Sequence, residues 1–337
     1  MRAAIYKGPR NLVVEEYTLN TVGPDELIIK VEVCGLCGTD YHIFSGQAPA
    51  KPPVVPGHEY TGVVVEKGSK VENFNSGDHV SVDPNIYCGK CYYCRTGNIQ
   101  FCTDLKALGV TLNGGFAEYS IIPSSQAYLI PKDFPLSFAS FAEPLSCCVH
   151  GIDKAAIRQG ETVVILGAGA IGLLMLQLSE IAGAGKTIVL EPVESKRKLA
   201  EKLGADFCFD PNTEESIKNI LEITSGGADV VIECVGSHEA AELSLMLPKR
   251  GGRIIIFGLS EKQDSVNINL QYLFSKELTI RGSLLNPFTF SRSVELLISG
   301  KIDVASFSTA TATIDDLNKI LVNPRDYSVT KYQITPY

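Results

Sequence analysis

No run of about 18 consecutive apolar residues occurs in this 337-residue chain, so the sequence excludes a helical membrane span. The opening residues, Met1-Arg2-Ala3-Ala4-Ile5-Tyr6-Lys7, lack the apolar stretch and small-residue cleavage site of a secretory signal, and a cytoplasmic location is expected. Dense basic runs are missing as well, and the net charge is −8. The most basic tract, Lys196-Arg197-Lys198, reads as part of a solvated helix face. A phosphate backbone would favour a basic surface, so nucleic acid is not an expected partner. Internal repeats and low-complexity segments are also lacking. Histidine is scarce, and His79, His150 and His238 have no partner that the sequence identifies.

Cysteine is plentiful. Ten cysteines in a cytoplasmic chain direct attention to metal rather than to disulfides. Cys88, Cys91, Cys94 and Cys102 form one tight group. Two-residue gaps let successive thiolates turn onto one ion, and four thiolates with no open position describe a structural zinc site. Two disulfides, a redox pair or an iron–sulfur cluster are the alternatives. Cys147, Cys148, Cys208 and Cys234 are expected to fill core space.

Two textures follow one another along the chain. Up to about residue 140 the sequence holds short β-type runs, such as 26–33 and 60–66, which predict an antiparallel β domain with long loops. From about residue 150, strand-like runs at 162–166, 187–190, 229–233, 253–257 and 278–281 alternate with helical stretches at 173–180 and 196–203. That alternation predicts an α/β domain with a parallel sheet covered on both faces. A helix over 291–299 and mixed structure make up the tail.

Within the second texture, Gly167-x-Gly169-x-x-Gly172 sits between a strand and a helix. Glycine lets the backbone turn tightly and approach a pyrophosphate resting on the helix N-terminus, the Rossmann arrangement. The next strand ends at Glu191, an acid placed to accept hydrogen bonds from ribose hydroxyls and to repel a 2′-phosphate, so NAD is preferred over NADP.

In the first texture, Cys37-Gly-Thr39-Asp40-Tyr-His42, Gly57-His58-Glu59 and Glu143-Pro-Leu supply residue types that bind zinc. Taken singly, each is as readily a buried cysteine, a structural histidine or a turn acid. Cys34 and Cys37 also make a Cys-x-x-Cys pair, a redox alternative.

Taken jointly and in this order, these motifs, the four-cysteine lobe and the glycine loop resemble the zinc-containing medium-chain dehydrogenases, most closely their polyol and threonine branch. The resemblance covers nearly the whole chain. It implies a β-rich GroES-like catalytic domain over 1–149, a Rossmann doubly wound NAD-binding domain over 150–283, and a return to the catalytic domain over 284–337. It implies two zinc ions per chain. Cys37, His58, Glu59 and Glu143 are the implied ligands of the catalytic ion, the last two directly or through water. Thr39 and His42 resemble a proton relay, and Asp40 is placed to orient His58 or to cap a turn. Lys196 matches a position near the adenosine ribose that would tolerate some NADP, and Ile171, Leu259 and Leu284 match positions lining the cofactor. The implied reaction takes a hydride from a secondary alcohol, a polyol or its phosphate, to NAD. L-Threonine oxidation and a non-catalytic nucleotide-binding protein are the rival readings. Leu285-Asn286 stand where animal sorbitol dehydrogenases carry an Arg-Tyr pair, and Asn286 either meets a polyol hydroxyl or caps a turn. A homo-oligomer is expected, a tetramer before a dimer.

Overall fold

A computed structural model describes residues 1–260, 263–323 and 326–337. The chain divides into two units, Met1–Ser146 with Asn286–Tyr337, and Cys147–Leu285. Among the described residues no helix is long and apolar enough to cross a membrane.

The first unit is built on a seven-stranded sheet whose hub is strand Glu26–Gly35. Its branched residues are buried on nearly every position, because it is paired antiparallel with Glu59–Lys67, Tyr119–Pro123 and Lys331–Thr335. Leu27, Ile29 and Val31 are fully enclosed in the unit's core, each such side chain contributing about 1.5–3 kcal/mol of burial. The pairing of Glu26–Gly35 with Glu59–Lys67 is interrupted by two register shifts, and beyond the second Gly35 stands opposite Glu59. Such bulges sharpen local twist and re-aim side chains. The strand Lys331–Thr335 brings the tail into this sheet, with Thr309–Thr313 parallel beside it.

The second unit is a six-stranded parallel sheet ordered Phe207–Phe209, Lys186–Leu190, Thr162–Leu166, Ala228–Glu233, Pro248–Ile256, Thr279–Gly282. The order reverses between Thr162–Leu166 and Ala228–Glu233, the switch point at which doubly wound sheets bind ligands. The edge strand Phe207–Phe209 was not expected. It has three residues, too few to display an alternation.

Three sequence expectations are corrected. The Lys196-Arg197-Lys198 tract is not one solvated face. Lys198 is exposed and pairs with Glu194 at 2.6 Å, whereas Lys196 is buried. Arg197 folds back, its Nη1 donating to the carbonyls of Glu191 at 2.6 Å and Pro192 at 2.8 Å. In the helix Glu194–Lys202 the buried residues are Lys196 and Ala200, four apart and so on one face. Of the four cysteines assigned to the core only Cys148 is buried, while Cys147, Cys208 and Cys234 are half-buried. Cys208 lies on the edge strand and Cys234 just beyond a strand end, where cover is thinner. His238 has a partner after all, Glu242 at 3.3 Å.

Candidate active site

Strand and helix ends deliver the first cluster. Cys37 follows the hub strand and caps helix Gly38–Ser45, and His58 immediately precedes strand Glu59–Lys67. Because Gly35 pairs with Glu59, the two segments meet, and the ligand atoms of Cys37, His58 and Glu59 lie within 4.8 Å of one another. Asp40 serves two neighbours. Its Oδ2 accepts the Cys37 N–H at 2.8 Å, and its Oδ1 faces His58 Nδ1 at 3.7 Å, leaving the other ring nitrogen for a metal. Of the two uses weighed for Asp40, the cap is present, and the carboxylate stands near His58 at more than hydrogen-bond distance.

The electrostatics describe a basket for a cation. Burial opposes charge on His58, yet the acidic groups Asp40, Cys37 and Glu143 outweigh it and hold the imidazole well above its ordinary pKa. A proton there stands in for the positive charge that the donor set demands. Thiolate, imidazole and carboxylate are the donor types of catalytic zinc sites, and they fit. Glu143 enters on the first turn of helix Ala142–Ala155 and is not one of the three mutually close ligands. Burial pushes its carboxyl up to about 7, against the pull of His58.

Lys331 was not singled out from the sequence. It is buried, and its ammonium forms an ion pair with Glu59 Oε2, also buried. A methyl group on Gly35 would overlap both Glu59 Oε2 and Lys331 Cε, so only glycine leaves room for the pair. The available signal was one of balance. Cys37, Asp40, Glu59 and Glu143 are too many acidic groups for one dication, and buried charge needs a partner.

Thr39 Oγ1 lies 3.6 Å from Cys37 Sγ, and His42, half-exposed, has Nδ1 3.0 Å from Gln47 Oε1. Asn286 has neither use foreseen for it. It is buried, its Nδ2 donates to Asp83 Oδ1 at 3.1 Å and Ser146 Oγ at 2.9 Å, and its Oδ1 accepts from Asn85 Nδ2 at 2.7 Å. Those bonds occupy it within the protein and tie the loop before helix Phe290–Ile298 to the helix that carries Glu143.

Cys88, Cys91, Cys94 and Cys102 form the second cluster, with all four sulfurs within 4.8 Å of one another. Cys91 and Cys94 sulfurs are 3.5 Å apart, and Cys88 and Cys94 4.0 Å. Four sulfurs around one zinc at ordinary Zn–S lengths sit about 3.8 Å apart, whereas a disulfide requires about 2.05 Å. A [2Fe–2S] or [4Fe–4S] cluster would spread them further, over two or four metals. Backbone N–H groups of Cys88 and Cys91 point at the sulfurs of Cys102 and Cys88, and hydrogen bonds from the backbone at Cys94 and Thr103 lower the Cys91 thiol to about 6. The lobe from Cys88 to Cys102 buries only Ile99, Gln100 and Cys102, too little to hold itself. Substituting Cys94→Ser is therefore expected to lower zinc content by one ion per chain and to open the lobe to trypsin at Lys90 and Arg95. Unchanged zinc content and digestion would show that the lobe does not depend on metal.

The glycine loop occupies the end of strand Thr162–Leu166. Gly167 adopts a φ of 95°, a region that favours glycine. A side chain on Gly172 would strike the Gly167 carbonyl, so this glycine permits close helix–strand packing, while a Cβ on Gly169 meets nothing within 4 Å. That open space lies at the N-terminus of the twelve-residue helix Ala170–Ile181, where a pyrophosphate fits. Glu191 Oε2 accepts the N–H of Ala168 at 2.8 Å and its Oε1 that of Val193 at 3.0 Å, so the loop and the acid are locked together. Ile171 is half-buried, and Leu259 and Leu284 are exposed apolar residues of the same unit.

Comparison with known proteins agrees. Residues 23–132 match the alcohol dehydrogenase GroES-like domain, and residues 170–299 the zinc-binding dehydrogenase domain. D-Arabinitol dehydrogenase 1 of Uromyces fabae is 33% identical over 340 residues, covering 100% of this chain and 97% of that one. The L-threonine 3-dehydrogenase of Pyrococcus abyssi is 39% identical over 292 residues, 84% of this chain and 82% of that one. Among solved structures, a protein of Sinorhizobium meliloti 1021 described as a zinc-binding dehydrogenase, bound to NADP, superimposes with a TM-score of 0.96 at 38% identity, covering 99% of each chain.

Proposed function

Since the chain belongs to the zinc-containing medium-chain dehydrogenase family, in its polyol and threonine branch, we propose that it oxidises a polyol to a ketone with NAD as hydride acceptor. The approach of Cys37, His58 and Glu59 to one another carries this reading. In it, those three residues hold the catalytic zinc, Glu143 joins them directly or through water, and Cys88, Cys91, Cys94 and Cys102 hold the structural ion. Bound zinc supplies Lewis acidity toward the substrate hydroxyl, and bound nicotinamide accepts the hydride. Thr39 takes the hydroxyl proton and His42 hands it to solvent, while Asp40 fixes the His58 ring. Residues 1–149 with 284–337 serve catalysis and 150–283 serve the cofactor, with Gly167, Gly169 and Gly172 at the pyrophosphate and Ile171, Lys196, Leu259 and Leu284 along the nucleotide. The exposure of Leu259 and Leu284, 58% and 49%, supports a ligand that covers them. We assign the enzyme to the cytoplasm and to a homotetramer.

Preference for NAD rests on Glu191. The NADP bound by the Sinorhizobium protein belongs to that protein. Here Arg197 Nη1 is committed to two backbone carbonyls, and Glu191 is the acid that follows strand Lys186–Leu190. Substituting Glu191→Ala is expected to raise the NADP-to-NAD ratio of kcat/KM by about tenfold or more, mainly by weakening NAD. An unchanged ratio would place discrimination elsewhere.

A panel of sugar alcohols and their phosphates, butane-2,3-diol and L-threonine, read by NADH formation, tests the substrate class. The polyol reading is supported by the arabinitol dehydrogenase that spans the whole chain. Threonine is the second reading, because that relative is more identical over a shorter span. Turnover of L-threonine alone would select it.

A further inference from the structure

Strand Ala228–Glu233 lies beside Thr162–Leu166, on the far side of the switch point from Lys186–Leu190. Its last residue, Glu233, is entirely enclosed, at 0% exposure. Among the described residues, the carboxylate is held by backbone alone. Its Oε1 accepts the N–H of Val235 at 2.6 Å and of Gly236 at 2.8 Å. Its Oε2 lies against Gly258, where a methyl group would come within 2.6 Å of it. The Glu233 carbonyl accepts the N–H groups of Phe257 and Gly258, each at 3.0 Å. One residue thus fastens the loops that leave two neighbouring strands, at the carboxyl end of the sheet. Burial pushes the Glu233 carboxyl up, and the N–H groups of Gly236, Val235 and Gly258 pull it back, with no side-chain cation contributing among the described residues.

A carboxylate enclosed without a cation is costly to keep. Fastening through Val235 and Gly236 does not require the charge, because a glutamine of the same shape offers an oxygen to those two amides and changes only the group beside Gly258. Something at the site should therefore benefit from the charge. The glycine loop and Glu191 fix the pyrophosphate and adenosine ends of a dinucleotide over strands Thr162–Leu166 and Lys186–Leu190. Such ligands extend across the switch point, so the nicotinamide half belongs on the side of Ala228–Glu233. The nicotinamide ring is positive when oxidised and neutral when reduced.

We infer that Glu233 is a positioning residue whose negative charge favours binding of NAD+ over NADH, biasing the enzyme toward alcohol oxidation. The inference rests on the cofactor reading above. Binding in the zinc-loaded protein tests it without turnover. The chain has no tryptophan, so NADH emission is read against tyrosine alone. NADH is titrated directly and NAD+ by displacement of NADH. In Glu233→Gln the ratio of the NAD+ to the NADH dissociation constant is expected to rise about fivefold, through weaker NAD+ binding, the size of one charge acting across a protein interior. Glu233→Asp, which keeps the charge and loosens the loops, is expected to weaken both forms while leaving the ratio near that of the wild type. Equal weakening of both forms in Glu233→Gln would reduce the residue to a structural fastener and overturn the inference. Should that variant not fold, Glu233→Asn is compared with Glu233→Asp, two equally shortened side chains that differ in charge, and the ratio is expected to be higher in Glu233→Asn. An unchanged ratio there counts equally against it. Wild-type protein that binds neither form overturns the cofactor reading itself.

Discussion

Cys37→Ala is expected to lower kcat/KM for the alcohol by about a thousandfold or more and to cost the protein one zinc per chain, with the fold retained. The loss is large because Lewis acidity toward a hydroxyl is worth several kcal/mol, and each 1.4 kcal/mol, roughly, is a factor of ten. Without the thiolate, only His58 and Glu59 remain of the three mutually close ligands. The fold should survive because the sulfur supplies only one half of the capping box. Asp40 caps helix Gly38–Ser45 through the Cys37 backbone N–H, which alanine keeps. Zinc content, circular dichroism and NADH formation measured together separate the outcomes. Full activity at one zinc per chain would mean that Cys37 is not a ligand of the reacting centre, and the proposed mechanism would fall with it.

In zinc-free protein, Lys331→Met is expected to destabilise the fold by about 3–5 kcal/mol, the cost of leaving a buried charge without its partner. Glu59 is 1% exposed, so water cannot replace the ammonium. The double variant Lys331→Met with Glu59→Gln removes both charges and should recover most of that loss, although its activity stays low because a ligand has gone. Urea unfolding of the wild type, both single variants and the double variant closes the thermodynamic cycle, and coupling above about 2 kcal/mol is anticipated for residues in direct contact. A double variant no more stable than Lys331→Met would show that lysine packing, not charge pairing, matters at this position.

These two residues mark where the sequence could be read and where it could not. Cys37, the four clustered cysteines and the glycine loop announce themselves because their chemistry is written in spacings of a few residues, and their structural context repeats locally. The alternation of strands and helices after residue 150 was legible for the same reason: a strand buried on both faces, such as Thr162–Leu166, is a continuous branched run. Lys331 was invisible because its meaning depends on Glu59, far away along the chain and brought near only by sheet pairing. The burial of Lys196 was missed because a basic run on a helix is ordinarily solvated, and here Lys196 shares the inward face with Ala200. Asn286 was ambiguous for a similar reason. Its partners Asp83, Asn85 and Ser146 come from distant segments, so no local pattern could foretell that its hydrogen bonds were already taken.

The unit that carries the metal ligands is discontinuous, with Cys147–Leu285 inserted between its two stretches. Chains are made from the N-terminus, and units fold as their residues become available. The inserted unit is continuous and can close its sheet while the ribosome is still working. The unit around it cannot. A nascent chain halted after Leu285 would already own Cys37, His58 and Glu59, but not the strand that brings the ammonium to Glu59. The timetable of synthesis therefore makes neutralisation of Glu59 one of the last events in maturation, and until then a metal ion is the strongest positive charge that the half-made site can recruit.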